Sequence, residues 1–234
     1  DGLDIPDQPR SLFERNAFTA VPMLIGTAGD EGWKVVDRAF PAGLSAEVYR
    51  AEVEAEFGSA ATSAILEHYP STEESLPKST LARLVGDVEA VCEARRVARL
   101  IARSKAPVFL YSLASEPDAG EPSAASPYGL DLFFAPRSVD TRAATRRGRH
   151  GDRFLSGKIA AYWTRFVISG NPNTGERKGV EWPAFSHLEP AGGRYLAFSS
   201  PIRVDDGRTI RKACDLWEPF FLRSVGGAIR AAQP

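Results

Sequence analysis

Two short apolar runs constrain this fold more than any other feature. Val21 to Thr27 (VPMLIGT) is continuous and closes on Gly-Thr, and Val108 to Tyr111 is a second run directly after Pro107. Unbroken apolar runs of this length, bounded by turn residues, suit strands buried on both faces of a parallel sheet. Pro22 fits the first strand only near its start, where no ladder donor is required. Parallel neighbours need a long crossover, and most of the chain between the two runs has a helical pattern. The expected class is therefore α/β, with a mostly parallel sheet and packing helices.

Residues 45–57 and 59–69 read as helices separated by Gly58, with Glu47, Glu52, Glu54 and Glu56 on a solvated face. Ser79 and Thr80 can cap a helix through Leu81–Val85. Residues 87–104 give the clearest helix: Val91, Ala94, Ala98 and Ile101 repeat at helical spacing. Arg95, Arg96, Arg99 and Arg103 are expected on its other faces. Residues 115–127 form a Pro/Ser/Ala loop. Residues 154–169 are helical, with a core stripe of Ile159, Tyr162, Trp163 and Phe166 that ends at Gly170-Asn171-Pro172-Asn173. A short β pair is expected at 195–204 around Pro201, then a last helix at 208–222 and a frayed tail at 226–234. A helical turn near Leu12–Arg15 comes before all of these. No internal repeat or clean linker divides the chain, so residues 1–234 are expected to form part of one domain.

Charge and cysteine usage narrow the chemistry. A formal net charge of −1 gives no general pull toward nucleic acid or anionic membrane. Residues 137–153 hold six arginines against Asp140 and Asp152, but without interleaved aromatics they read as a solvated loop. No apolar run approaches the roughly 18 residues needed to cross a bilayer. Cys92 and Cys214 form no CxxC motif and have no histidine cluster, which argues against zinc. Their spacing alone leaves separate buried thiols and a disulfide equally open. His68, His150 and His187 stand in unrelated settings with no metal-ligand spacing, so no metal or cofactor is expected. Asp1 to Pro6 lacks the charged start and apolar stretch of a signal peptide, and reads like the interior of a longer chain.

Six segments, taken in order, resemble the C-terminal part of the type-B carboxylesterase family, the cholinesterase-like branch of the α/β-hydrolases. Asp1-Gly2 before Leu3-Asp4-Ile5-Pro6 is similar to the family's "DG…LP". Val21 to Thr27 with Asp30-Glu31-Gly32 resembles "VPVLIGTNKDEG". Val85-Gly86-Asp87 before Cys92 resembles "GD…C". Tyr162-Trp163, Phe166 and Gly170-Asn171-Pro172-Asn173 resemble "YWxNFAxTGNPN". Trp182-Pro183-Ala184-Phe185 is similar to "WPxY", and Cys214-Asp215-Leu216-Trp217 to "CxFW". The resemblance runs from residue 1 to about 220 and implies the C-terminal half of an α/β-hydrolase fold.

The resemblance also implies roles. In this family a Ser…Glu…His triad hydrolyses carboxylic esters, and Glu31 matches its acid. A carboxylate just past a buried strand could hold an imidazole in one tautomer and stabilise the imidazolium formed during attack. The family's histidine lies in a pattern like "HGxD/E", and the matching stretch is Tyr128-Gly129-Leu130-Asp131, with tyrosine in the base position. A phenol titrates near 10 and an imidazole near 6.5, so neutral Tyr128 is poorly suited to take and return the serine proton. His150 and His187 lie in the wrong motifs to replace it. The GxSxG nucleophile elbow is expected upstream. Gly43-Leu44-Ser45-Ala46-Glu47 lacks its closing glycine, and Ser45 reads as a helix-start residue. The family's secreted members pair cysteines at the positions of Cys92 and Cys214, which implies a disulfide and a secreted or periplasmic setting.

The leading expectation is therefore part of a carboxylic ester hydrolase acting on a small-molecule ester, unable to complete the reaction by itself. The alternative that Tyr128 raises is a non-catalytic binding or recognition protein of the same family. An incomplete chain with no separate function is the third.

Overall fold

The computed structural model describes residues 2–3, 5–29, 31–71, 76–113, 150–175, 179–186, 188, 193–199 and 201–222, with the side chains of 150–154 and 221–222 excepted. Tyr128, His187, the 115–127 loop, the side chains of the 137–153 arginine segment and of His150, and the 226–234 tail lie outside the described residues. The chain divides into two compact units.

The first unit holds the sheet. Strands β1 (Met23–Ala28), β2 (Val108–Leu113), β3 (Tyr195–Phe198) and β4 (Arg203–Asp205) lie side by side in that order. β1 pairs with β2 and β2 with β3 in parallel, whereas β3 and β4 form an antiparallel pair. Both apolar runs are strands, and the pair expected around Pro201 is β3–β4. One expectation changes. β1 is half-buried along its whole length, because among the described residues it has a single hydrogen-bonded neighbour, β2. β2 lies between two strands and buries Val108, Phe109, Leu110 and Leu113.

The core of this unit is aromatic. The helix at His150–Ser169, called α7 below, sends Ile159 and Tyr162 against Phe109, Trp182, Leu196 and Phe198. Its end is built by the Gly170 to Asn173 turn. Gly170 takes φ 72° and donates its N–H to the Phe166 carbonyl. Asn173 then clamps the Trp182 backbone, with Nδ2 donating to its carbonyl and Oδ1 accepting from its N–H, both at 2.8 Å. The Trp182 indole donates to the Leu110 carbonyl of β2 at 2.9 Å. The turn, the Trp182 motif nine residues further on and β2, 72 residues from Trp182, thus make one structural joint.

The second unit is helical: α2 (Trp33–Ala39), α3 (Ala46–Phe57), α4 (Ser59–His68), α5 (Pro77–Gly86), a π-helical turn at Asp87–Val91, and α8 (Arg208–Leu222) from Thr209 onward. A further helix, α6 (Cys92–Arg103), begins here, and α1 (Pro9–Glu14) belongs to the first unit. Ser45 caps α3 by accepting from the Val48 N–H. α5 starts earlier than expected because Pro77 occupies its first turn, where a missing N–H costs nothing. α2 was not expected from the sequence. It has only seven residues, and its cap, Gly32, offers no side-chain acceptor. The core of this unit gathers Val36, Tyr49, Val53, Ile65, Leu84 and Trp217.

Two arginines of α6 are deeply packed: Arg95 and Arg96 are 4% and 8% exposed. Arg96 reaches Glu14 of α1, with Nη2 to Oε1 at 2.7 Å, and Arg95 lies over the Phe185 ring. A long stem that packs while its guanidinium finds a carboxylate or a ring explains both.

Candidate active-site region

Glu31 lies in the turn between the end of β1 and the start of α2, and it is exposed. Because β1 and β2 run parallel, the segments that leave them depart from the same end of the sheet. Glu31 follows β1 there, and the segment carrying Tyr128 follows β2. Parallel sheets collect functional loops at this end.

The placement of Glu31 is set by its neighbour, the buried Gly32, whose φ of −77° and ψ of −14° suit any residue. Here glycine answers a need for space. A Cβ on Gly32 would lie 2.0 Å from the Ala82 carbonyl oxygen and 2.6 Å from the Gly86 nitrogen, both backbone atoms of α5. Conversely, a Cβ on Gly86 would lie 3.1 Å from the Gly32 nitrogen and 3.8 Å from the Glu31 Cβ. The glycines of the "DEG" and "GD" motifs are therefore partners, and they bring two backbones into contact beneath Glu31.

Asp87 follows Gly86 and opens the π turn. Its carboxylate accepts from the Tyr69 hydroxyl at 2.8 Å, and the same hydroxyl oxygen accepts from the Trp217 indole at 3.0 Å. Desolvation pushes the Asp87 carboxyl above the usual carboxylate range, which the Tyr69 hydrogen bond and the Arg83 charge only partly oppose. Desolvation likewise raises the Tyr69 phenol. Tyr49 donates to the Tyr69 carbonyl at 2.8 Å, and burial pushes its phenol up to about 12. At the end of the π turn, Cys92 is joined to Cys214 in a disulfide. The chain segments holding Asp87 and Trp217 are thus tied twice, once by a hydrogen-bond relay and once covalently. Nothing in the sequence reading anticipated this relay. Its only signals were that "GD" and "CxFW" lie near the two cysteines.

The other candidates are structural where described. Ser45 is a helix cap. His68 sits half-buried with its ring edge-on to Tyr69. Among the described residues no cluster of three or more His, Cys, Asp or Glu could hold a metal, and no helix is long and apolar enough to cross a membrane. In chemical terms the region presents an exposed carboxylate on a backbone-braced turn that follows β1 in the chain. Such a group can accept a charge-assisted hydrogen bond from an imidazole.

The model of the carboxylesterase family matches residues 1–217. The chain belongs to the carboxylesterase family. It is 28% identical over 220 residues to fumonisin B1 esterase of Sphingopyxis macrogoltabida, covering 92% of this chain and 39% of that protein. It is 27% identical over 228 residues to pyrethroid hydrolase Ces2e of Rattus norvegicus, covering 84% and 38%. The acetylcholinesterase of Bungarus fasciatus is 22% identical over 243 residues, covering 94% and 38%. The chain therefore spans about two-fifths of the length of these carboxylesterase-family relatives. Its mixed sheet with packing helices is consistent with part of the α/β-hydrolase fold.

Proposed function

We propose that residues 1–234 are the C-terminal portion of one carboxylesterase-type domain that hydrolyses a small-molecule carboxylic ester, and that Glu31 is its triad acid. The observation that carries this reading is the position of Glu31 directly past a parallel strand, on a turn braced by the Gly32–Gly86 contact. In the completed domain an upstream serine attacks the ester carbonyl while an imidazole takes its proton. The imidazole then protonates the departing alcohol, and water, activated the same way, releases the acid and frees the serine. Glu31 orients the imidazole and stabilises its charged form without accepting the proton. Tyr128 stands in the base position and is a poor substitute, because a neutral phenol neither takes nor returns that proton readily at pH 7. The Cys92–Cys214 disulfide supports a secreted or periplasmic setting.

The test is hydrolysis of a short-chain chromogenic ester by the full-length protein. With Tyr128 in place, turnover is low. Tyr128→His raises it by orders of magnitude, since a missing triad member typically costs on the order of 10⁴–10⁶-fold. An unchanged rate in a folded Tyr128→His protein with an intact upstream serine would refute the base-position assignment.

A further inference from the structure

We propose that Asp87 is a positioning residue for Glu31, acting through the Gly86–Gly32 backbone contact, and that Tyr69 and Trp217 hold Asp87 in place. The inference rests on Glu31 as the triad acid and adds how that acid is held. Asp87 and Gly86 are joined by one planar peptide unit inside a continuous helical run, both with right-handed helical torsions, so a displacement of Asp87 is passed to Gly86. Gly86 and Gly32 touch backbone to backbone, with no side chain between them to yield. Gly32 is bonded to Glu31, whose Cβ itself lies over Gly86. At the far end, the Tyr69 hydroxyl bonds both Asp87 and the Trp217 indole. A carboxylate drawn out of water here is an expensive way to fill space, and an apolar side chain would fill it at lower cost. What the carboxylate adds is direction: a single acceptor, oriented by one donor, at the residue next to the glycine that braces the acid. The π turn that starts at Asp87 adds a local irregularity of a kind that recurs near functional sites.

The experiment compares amide and indole NMR spectra of the protein with those of Tyr69→Phe and Asp87→Asn. Both changes keep the local volume; Tyr69→Phe removes the relay, and Asp87→Asn weakens it by exchanging the charged acceptor for a neutral amide oxygen. The Trp217 indole signal is expected to move, together with the Glu31 and Gly32 amides, while Gly26 and the Trp182 indole stay in place. A Trp217 shift with unmoved Glu31 and Gly32 would overturn the proposal. So would a shift of every signal including Trp182, which would mark a general structural role. In the Tyr128→His protein, Asp87→Asn should lower kcat on the order of tenfold to a hundredfold with KM kept, as expected for a misplaced catalytic group. The same change should cost nothing further once Glu31→Gln is present, and an equal loss in both backgrounds would overturn the proposal. If Glu31→Gln alone leaves turnover unchanged while its amide still follows Asp87, the triad reading fails and the mechanical coupling stands.

Discussion

Gly32→Ala separates a steric demand from a conformational one. The backbone at residue 32 is already right-handed helical, so alanine adds no torsional strain. It adds a Cβ 2.0 Å from the Ala82 oxygen, more than an ångström short of ordinary van der Waals contact, with the Gly86 nitrogen at 2.6 Å. Both obstacles are backbone, so no rotamer change relieves the clash, and α2 must move off α5. Overpacking of this kind costs about 1–3 kcal/mol, and an obstacle made only of backbone places Gly32→Ala at the upper end. For a chain of this length that corresponds to a fall in Tm on the order of 5–10 °C. Gly86→Ala should cost less, because its Cβ meets the Gly32 nitrogen at 3.1 Å and needs only a few tenths of an ångström of give. Gly58→Ala is the control: nothing lies within 4 Å, but φ is +79° with ψ 156°, a region essentially restricted to glycine, so its cost is torsional alone, about 1–3 kcal/mol. The assay is urea unfolding followed by circular dichroism, with the three variants side by side. Stability of Gly32→Ala within error of the parent would refute the backbone-contact account.

Reduction of the Cys92–Cys214 bond, or Cys92→Ser with Cys214→Ser, should destabilise the protein by about 2–5 kcal/mol, read as a lower urea midpoint with and without dithiothreitol. An unchanged midpoint would mean that the cross-link constrains little of the unfolded chain. For Asp87 the linkage has a definite sign. Its folded pKa is raised, so its contribution to stability is fully present below the unfolded pKa and is lost as pH rises through the folded one. The parent should therefore gain stability relative to Asp87→Asn as pH falls from neutral toward 4, and a difference in Tm that stays flat across that range would contradict the burial assigned to Asp87.

Local signals in the sequence were enough for the strands and the longer helices. The run at 108–111 is apolar because β2 lies buried between two strands, the run at 21–27 supplies the half-buried β1, and the stripe of Ile159, Tyr162, Trp163 and Phe166 has the spacing of one helix face. What escaped the sequence depends on distant partners or on missing side chains. α2 is short and capped by a glycine, so it leaves neither a period nor a cap signal. The carboxylate that Arg96 meets, Glu14, is 82 residues away and leaves no local signal. The link from Tyr69 to Trp217 spans 148 residues and could not be read from either neighbourhood. Around the candidate site, the turn that follows β1 and carries Glu31 was legible, whereas the brace under it was not. Two glycines meeting across helices carry no chemistry of their own in a sequence.

The central claim is that Glu31 serves as the acid of an ester-hydrolysing triad. The most direct measurement is kcat on a chromogenic carboxylic ester for full-length Tyr128→His, with and without Glu31→Gln. The account predicts a loss of about 10⁴-fold on removing the carboxylate, with the fold intact, because the imidazole loses its tautomer and the charge beside it. Equal turnover by the two proteins would contradict it.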